Sequence, residues 1–397
     1  MYNMWIKRDL ESELMAVAAV RPGVVLTGCR QAGKTSLLRR VFPDYRYVSL
    51  DLPLTSDWAE KSGQDFLREH APPAIYDEVQ YAPTLLRHVK AAIDAEREQN
   101  GRFLITGSNR FSLMSGGVES LAGRVAVLEC HTLSALEIER HRSRPIEGEA
   151  LVEMMFQGGY PEMHAGGLDA QRFFSDYVAT YLERDVRTAL GVTSLRDFDR
   201  FIRLAALRTG QLLNMSSLAR DVGVTAPTIG RWLAVLESSG IVRLVQPYFT
   251  NPGKRLVKTP KLFFLDTGLA CFLCGLRSPR DLRESALLGQ MFETHVLGQI
   301  VRWYANRGQQ APVYFFQDHQ GHEVDFVIPV GKRLKLYECK WAEMPDHDTP
   351  GAAALRKLVG QENILSWSII TPTRGRRTIE RNALVIEDSI ELASLEA

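Results

Sequence analysis

The chain has 397 residues, more than one small core needs, and this length suggests roughly two to four domains. Its 48 basic and 47 acidic residues leave a net charge of +1, so no global field draws it onto nucleic acid or membrane, and any such binding must come from a local patch. Five scattered cysteines argue against a disulfide framework, and the absence of a long apolar run or leader-like N-terminus predicts a cytoplasmic protein with no membrane partner.

Gly23 to Thr27 reads as a short β-branched strand. Behind it, Gly28, Cys29, Arg30, Gln31, Ala32, Gly33, Lys34 and Thr35 fit G-x-x-x-x-G-K-[ST], and Ser36 to Arg40 continues as a helix that closes before Pro43. That hand-over from strand to helix predicts a nucleoside triphosphate site. Gly28 and Gly33 let successive N–H groups face phosphate, Lys34 reaches the β and γ oxygens, Thr35 ligates Mg²⁺, and the helix N-terminus adds a positive dipole. ATP with Mg²⁺ is the expected cofactor pair.

A second apolar run, Pro72 to Tyr76, ends in Asp77-Glu78. On a neighbouring parallel strand, Asp77 would hold Mg²⁺ and Glu78 would polarise the attacking water. A third strand, Arg102 to Thr106, runs into Gly107-Ser108-Asn109-Arg110, where the Asn109 amide is placed to sense the γ-phosphate and orient that water. Arg124, before a strand-like run from Val125 to Leu128, is either an arginine finger acting on a neighbouring subunit's nucleotide or a solvated surface residue.

This order of parts resembles the AAA+ ATPases. The segments Thr27 to Thr35, Leu104 to Ser108, Ser120 to Arg124, Gly158-Gly159-Tyr160-Pro161 and Lys258 to Leu269 resemble one prokaryotic AAA+ family with an uncharacterised C-terminal domain. Cys29 stands where that family usually has proline, at a position that contributes backbone. The resemblance implies an ATPase core over 1–140 and a homo-oligomer.

Between 141 and 207, Phe173, Phe174, Tyr177, Val178, Tyr181 and Leu182 recur with helical spacing, as in a helical lid. Arg184 and Arg187 either reach the nucleotide from this lid or pair with Glu183 and Asp185 on a helix surface. Over 208–270, a serine-capped helix ending at Gly223 and a second helix capped by Thr225 predict a winged helix-turn-helix. Ile229, Trp232, Leu233 and Leu236 would face its core, leaving Thr228 and Arg231 toward a DNA groove. Lys254, Arg255, Lys258 and Lys261 would form a basic wing on the phosphates; packing or protein contact is the alternative use of such a module. Cys271 and Cys274 read as small core residues.

Over 271–397, Leu287 to Val301 reads as a helix carrying Glu293, and strands follow at Val313 to Phe316, Glu323 to Ile328 and Leu334 to Trp341. Alternation puts Glu338 and Lys340 on one face. With Asp325 and the Cys339 carbonyl this makes an oxygen site for Mg²⁺, with Glu293 completing it and Lys340 orienting and deprotonating water. An exposed salt-bridge face is the alternative. The succession of helix Glu, strand Asp and E-x-K resembles the PD-(D/E)XK nucleases and implies a restriction-endonuclease-like α/β domain. The expected architecture is therefore an α/β AAA+ P-loop sheet, a helical lid, a winged helix and a nuclease-like domain. Its expected work is ATP hydrolysis coupled to DNA engagement, with a regulatory switch on a protein partner, or an ATP-licensed nuclease, as alternatives.

Overall fold

The computed structural model describes residues 5–107, 121–182, 194–248, 259–343, 345–346, 349–379 and 384–396. The chain gathers into two compact units: Met1–Leu133 with Ser238–Gly240 and Arg302–Gln310, and Ser134–Glu237 with Ile241–Val301 and Ala311–Ala397. Among the described residues, no helix is long and apolar enough to cross a membrane.

In the first unit, helix α1 (Leu10–Val20) leads into strand β1 (Gly23–Thr27), whose five residues are all buried, as a central parallel strand covered on both faces requires. Then follow α2 (Lys34–Val41), β2 (Arg46–Ser49), α3 (Pro53–Lys61), α4 (Gly63–Glu69), β3 (Ala74–Asp77), α5 (Leu85–Ala95), β4 (Phe103–Gly107) and β5 (Val125–Glu129). The strands form a parallel sheet in the order β2-β3-β4-β1-β5. After β1 the chain runs to the far edge, returns through β3 and β4 to lie beside β1, and then places β5 on β1's other side. This reversal of strand order puts a crevice at the carboxyl end of β1, where open α/β sheets bind ligands. Val25, Val48, Phe66, Tyr76, Leu86 and Ile105 form one buried cluster that ties the strands to α4 and α5. Each such side chain contributes about 1.5–3 kcal/mol by leaving water.

The second unit opens with helices α6 (Ala135–Arg142), α7 (Glu149–Gln157), α8 (Pro161–Gly166), α9 (Ala170–Tyr177) and α10 (Leu195–Ala206). Helix α6 starts in a capping box: Ser134 Oγ accepts the Glu137 N–H, and the Glu137 carboxylate accepts the Ser134 N–H. Tyr160 packs on Phe173, Phe174 and Tyr177, which gives the aromatic spacing of that region a local core. After the short strand β6 (Gln211–Leu212), helices α11 (Met215–Val222) and α12 (Ala226–Ser238) form the two-helix module. Its first cap is Asn214 rather than a serine: the Asn214 side chain accepts the Ser217 N–H at 2.9 Å, while Gly223 in the left-handed region ends the helix. Ile229, Trp232, Leu233 and Leu236 are buried.

A hairpin of β7 (Val242–Pro247) and β8 (Lys261–Phe264) is followed by helices α13 (Thr267–Leu273), α14 (Pro279–Glu284) and α15 (Leu288–Ala305). Strands β9 (Tyr314–Gln317), β10 (Glu323–Val330) and β11 (Arg333–Cys339), helix α16 (Pro350–Val359), and strands β12 (Ile364–Thr371), β13 (Arg376–Ile379) and β14 (Leu384–Asp388) complete the chain. Among the described residues, the nine strands of this unit join one sheet, ordered β13-β14-β12-β11-β10-β9-β7-β8-β6. The expected border near 270 is bridged because β7 runs parallel to β9, and the Tyr248 N–H donates to the Phe315 carbonyl at 2.6 Å. That pairing satisfies backbone groups that an isolated hairpin would expose on its edge. Helix α16 lies so close to β10 that a Cβ on Gly351 would stand 1.7 Å from the Glu323 carbonyl oxygen.

Candidate functional site

The loop after β1 is shaped by two glycines. Gly28 has φ +141°, and a Cβ there would lie 2.0 Å from the Cys130 carbonyl oxygen; Gly33, with φ +91°, turns the chain into α2. Within this loop the buried Lys34 donates from Nζ to the carbonyls of Gly28 and Cys29, both at 2.9 Å. Arg30 donates to the Tyr81 hydroxyl at 3.1 Å. The loop is braced from outside by Arg8, which donates to the Ala32 carbonyl at 2.9 Å and the His131 carbonyl at 2.7 Å.

The carboxylate of Asp77 is the hub of the strand ends. Thr35 Oγ1 lies 2.9 and 3.0 Å from its two oxygens, Tyr47 donates to it at 2.8 Å, and Thr106 Oγ1 stands 2.5 Å from Oδ1. Burial, followed by the Asp77 bond, pushes the Tyr47 phenol up to about 12. Glu78 follows in the left-handed region at φ +58°, an unusual conformation for a side-chain-bearing residue; its N–H donates to Thr106 Oγ1 at 2.9 Å, and its carboxylate accepts the Gln80 amide. Asn109 lies outside the described residues, as do Arg184 and Arg187. Arg124 is partly exposed and ion-paired. Its guanidinium makes two bonds to the Asp94 carboxylate of the same chain, at 2.6 and 3.0 Å.

In the two-helix module, Arg231 is exposed and donates to Thr228 Oγ1 at 3.3 Å. Lys254, Arg255 and Lys258 lie outside the described residues. Lys261 requires a correction. It sits in β8, not in a wing, and is 3% exposed; Nζ donates to Glu293 at 3.0 Å and also to Glu323. Strand pairing on both sides turns it inward, out of reach of DNA phosphates.

The acidic residues of the C-terminal part converge differently from the expected set. Carboxylate oxygens of Glu293, Glu323 and Asp325 lie within 4.8 Å of one another, whereas Glu338 pairs with Lys340 at 2.8 Å. Cys339 contributes its N–H, which donates to Asp325 at 2.7 Å. Burial first, and then the Asp325 charge, pushes Glu293 up to about 8 and Glu338 up to about 7. Burial favours the neutral amine of Lys340, yet Glu338 and Asp325 outweigh it and hold Lys340 above its usual range. That direction favours its charged form. Cys271 in α13 and Cys274 at its C-cap are free thiols; burial raises both, Cys274 to about 12. The two motif segments around Gly159 and Asp266 meet: Asp266 caps α13 and accepts the Gly159 N–H at 2.9 Å.

Residues 20–139 match the model of the AAA domain, 148–280 that of a domain of unknown function (DUF8612), and 288–383 that of another (DUF4143). Uncharacterized protein Rv2008c of Mycobacterium tuberculosis and Uncharacterized protein Mb2031c of Mycobacterium bovis are each 31% identical over 344 residues, covering 85% of this chain and 75% of theirs. The chain belongs to their family. Its first part is an AAA-type ATPase domain, which binds and hydrolyses ATP. Similar solved structures include the Walker-type ATPase PABY2304 of Pyrococcus abyssi, at 15% identity and a TM-score of 0.43, covering 68% of this chain and 96% of that one. AMPPCP-bound DnaA from Aquifex aeolicus is similar at 13% identity and a TM-score of 0.30, covering 57% and 85%.

For this AAA-type ATPase, local sequence reading missed Tyr47, Thr106, Glu323 and the true setting of Lys261. Thr106 had a signal, as a hydroxyl ending the strand beside Asp77. Tyr47 and Glu323 had none, because their partners are set by strand neighbours distant in sequence.

Proposed function

We propose that this AAA-type ATPase hydrolyses ATP with Mg²⁺ at Gly28 to Ser36, and passes its nucleotide state to the two-helix module and the C-terminal part, which engage DNA. The observation that carries the hydrolytic reading is the convergence of Thr35, Asp77 and Thr106, with the Glu78 backbone, at the carboxyl ends of β3 and β4. The donor set suits Mg²⁺, because the Thr35 hydroxyl and Asp77 carboxylate are hard oxygens already side by side. The ion supplies charge neutralisation on phosphate oxygens. Lys34 exchanges its two carbonyl partners for phosphate, Glu78 takes the proton of the attacking water, and Asn109 orients that water. Arg124, released from Asp94, serves the nucleotide of a second copy in a homo-oligomer, while residues 141–207 form the lid.

In this reading the two-helix module with its hairpin is a winged helix. Thr228 and Arg231 face the groove, and Lys254, Arg255 and Lys258 contact phosphates. The C-terminal part is a restriction-endonuclease-like domain in which Glu293 sits on a helix, Asp325 and Glu338 on two adjacent strands, and Lys340 directly after the second of them. Steady-state ATP turnover, measured with and without single- and double-stranded DNA, tests the proposal. Glu78→Gln abolishes turnover and keeps ATP binding; retained turnover in that variant would remove Glu78 as the base. DNA raises turnover in the parent, and indifference to both DNAs would remove the DNA reading while leaving the ATPase intact. The contacts of Lys261 with Glu293 and Glu323 favour a second reading, a nucleotide-dependent switch that acts on a protein partner without cutting DNA.

A further inference from the structure

The three carboxylates Glu293, Glu323 and Asp325 come from α15 and β10 and converge within 4.8 Å, an arrangement that would suit a divalent ion if nothing else neutralised it. Lys261 does neutralise it. We propose that the Lys261 ammonium is the resident cation of this cluster and takes the place of a divalent metal ion, so that the C-terminal domain binds no metal there while β8 keeps its register.

Four observations carry this. First, Lys261 Nζ donates to Glu293 at 3.0 Å and also to Glu323, two of the three groups a metal would need. A metal ion drawing the same oxygens to within about 2.0–2.6 Å would have to share their centre with a buried ammonium, and like charges at that separation repel strongly where water is scarce. Second, the ammonium cannot simply swing aside. Lys261 stands opposite Val245 of β7 and Leu212 of β6, so its backbone is held on both sides, and its Nζ lies 5.5 Å from the centre of the Phe315 ring. Third, the carboxylates are themselves fixed. Gln317 donates to the second Glu323 oxygen at 2.9 Å, and the Cys339 N–H holds Asp325. Glu293 lies over Gly210, where a Cβ would stand 3.3 Å from its Oε2. Fourth, the remaining carboxylate of the expected set, Glu338, has its own cation in Lys340. Each potential ligand is thus already engaged by a donor of this chain. The inference goes beyond the ATPase reading and concerns a different set of residues.

The test is Mn²⁺ titration of the full chain, without nucleotide and in an Asp77→Asn background that weakens the other oxygen site, with free Mn²⁺ read by electron paramagnetic resonance. With Lys261 present, no Mn²⁺ binding sensitive to Asp325→Asn is expected. Binding that Asp325→Asn abolishes in the lysine-containing protein overturns the proposal by itself. Lys261→Met is expected to gain one Mn²⁺ site with affinity raised about tenfold or more, as removing one adjacent charge allows, and to lose it again with Asp325→Asn. A folded Lys261→Met protein without that gain also overturns the proposal. Should Lys261→Met fail to fold, Lys261→Gln, which keeps a hydrogen-bond donor toward Glu293 and Glu323 but no charge, is read by the same two criteria.

Discussion

Thr106 Oγ1 stands 2.5 Å from Asp77 Oδ1 while accepting the N–H of Glu78 at 2.9 Å, so one hydroxyl at the end of β4 holds two successive residues at the end of β3. Thr106→Val keeps the shape and removes both bonds, leaving the Glu78 amide unpaired and Asp77 Oδ1 with Thr35 alone, at a cost of about 1–3 kcal/mol. Turnover falls about tenfold or more with ATP binding retained, and Thr106→Ser restores most of it. Thermal denaturation alongside steady-state kinetics checks both halves.

Glu78 combines a positive φ with the proposed base. Glu78→Gly keeps the backbone where glycine is at ease, so stability holds or rises by roughly 1 kcal/mol while turnover disappears. Denaturant melts of Glu78→Gly and Glu78→Gln separate the two effects: both lose activity, and glycine alone relieves the backbone.

Arg124 and Asp94 form a two-pronged pair within one chain. A finger role predicts that Arg124→Ala abolishes turnover and that Asp94→Asn, which frees the guanidinium, retains or raises it. Equal losses in both variants would mark the pair as structural. Mixing Arg124→Ala with Lys34→Ala chains regains activity if the arginine acts on a neighbour's nucleotide.

His164 is the group whose titration is easiest to read. Its Nε2–H donates to the Gly158 carbonyl at 2.8 Å, and Nδ1 faces the Arg142 guanidinium at 3.1 Å. Burial lowers its pKa to about 4; Arg142 and His141 push the same way, against the Gly158 carbonyl and Asp266. The unfolded histidine takes its proton near 6.5 and the folded one only near 4, so this contribution is complete above about pH 6.5 and is lost as pH falls toward 4. Denaturant titrations at several pH values should show parent stability dropping over that window by at most about 1.4 kcal/mol per pH unit from this group. His164→Gln flattens that slope.

Gly351 tests how tightly α16 sits on the acidic strand. In Gly351→Ala the new methyl meets the backbone of Glu323, which cannot step aside as a flexible side chain would. Overpacking of this kind costs about 1–3 kcal/mol, seen as a lower denaturation midpoint with ATP binding unchanged.

Gly28 to Thr35, Asp77-Glu78 and the two-helix module were legible in the sequence because each is written in contiguous spacing: a strand, a turn and a helix cap obey local rules. Even there, Asn214 rather than a serine caps α11, since the choice among adjacent polar residues depends on backbone angles. Asp325 and Glu338 were legible as strand residues; Lys340 falls just beyond the end of β11 yet still reaches Glu338 at 2.8 Å. Only the tertiary structure decided what Lys261 does. A lysine between two strand-like runs reads as an exposed loop charge, yet its partners lie 32 and 62 residues away, delivered by β8 pairing between β6 and β7 and by β7 meeting β9. The same holds for Tyr47 and Thr106 on Asp77, 30 and 29 residues distant. Period and composition determine which face a side chain takes; which charge meets it there depends on sheet order, a property of the whole chain.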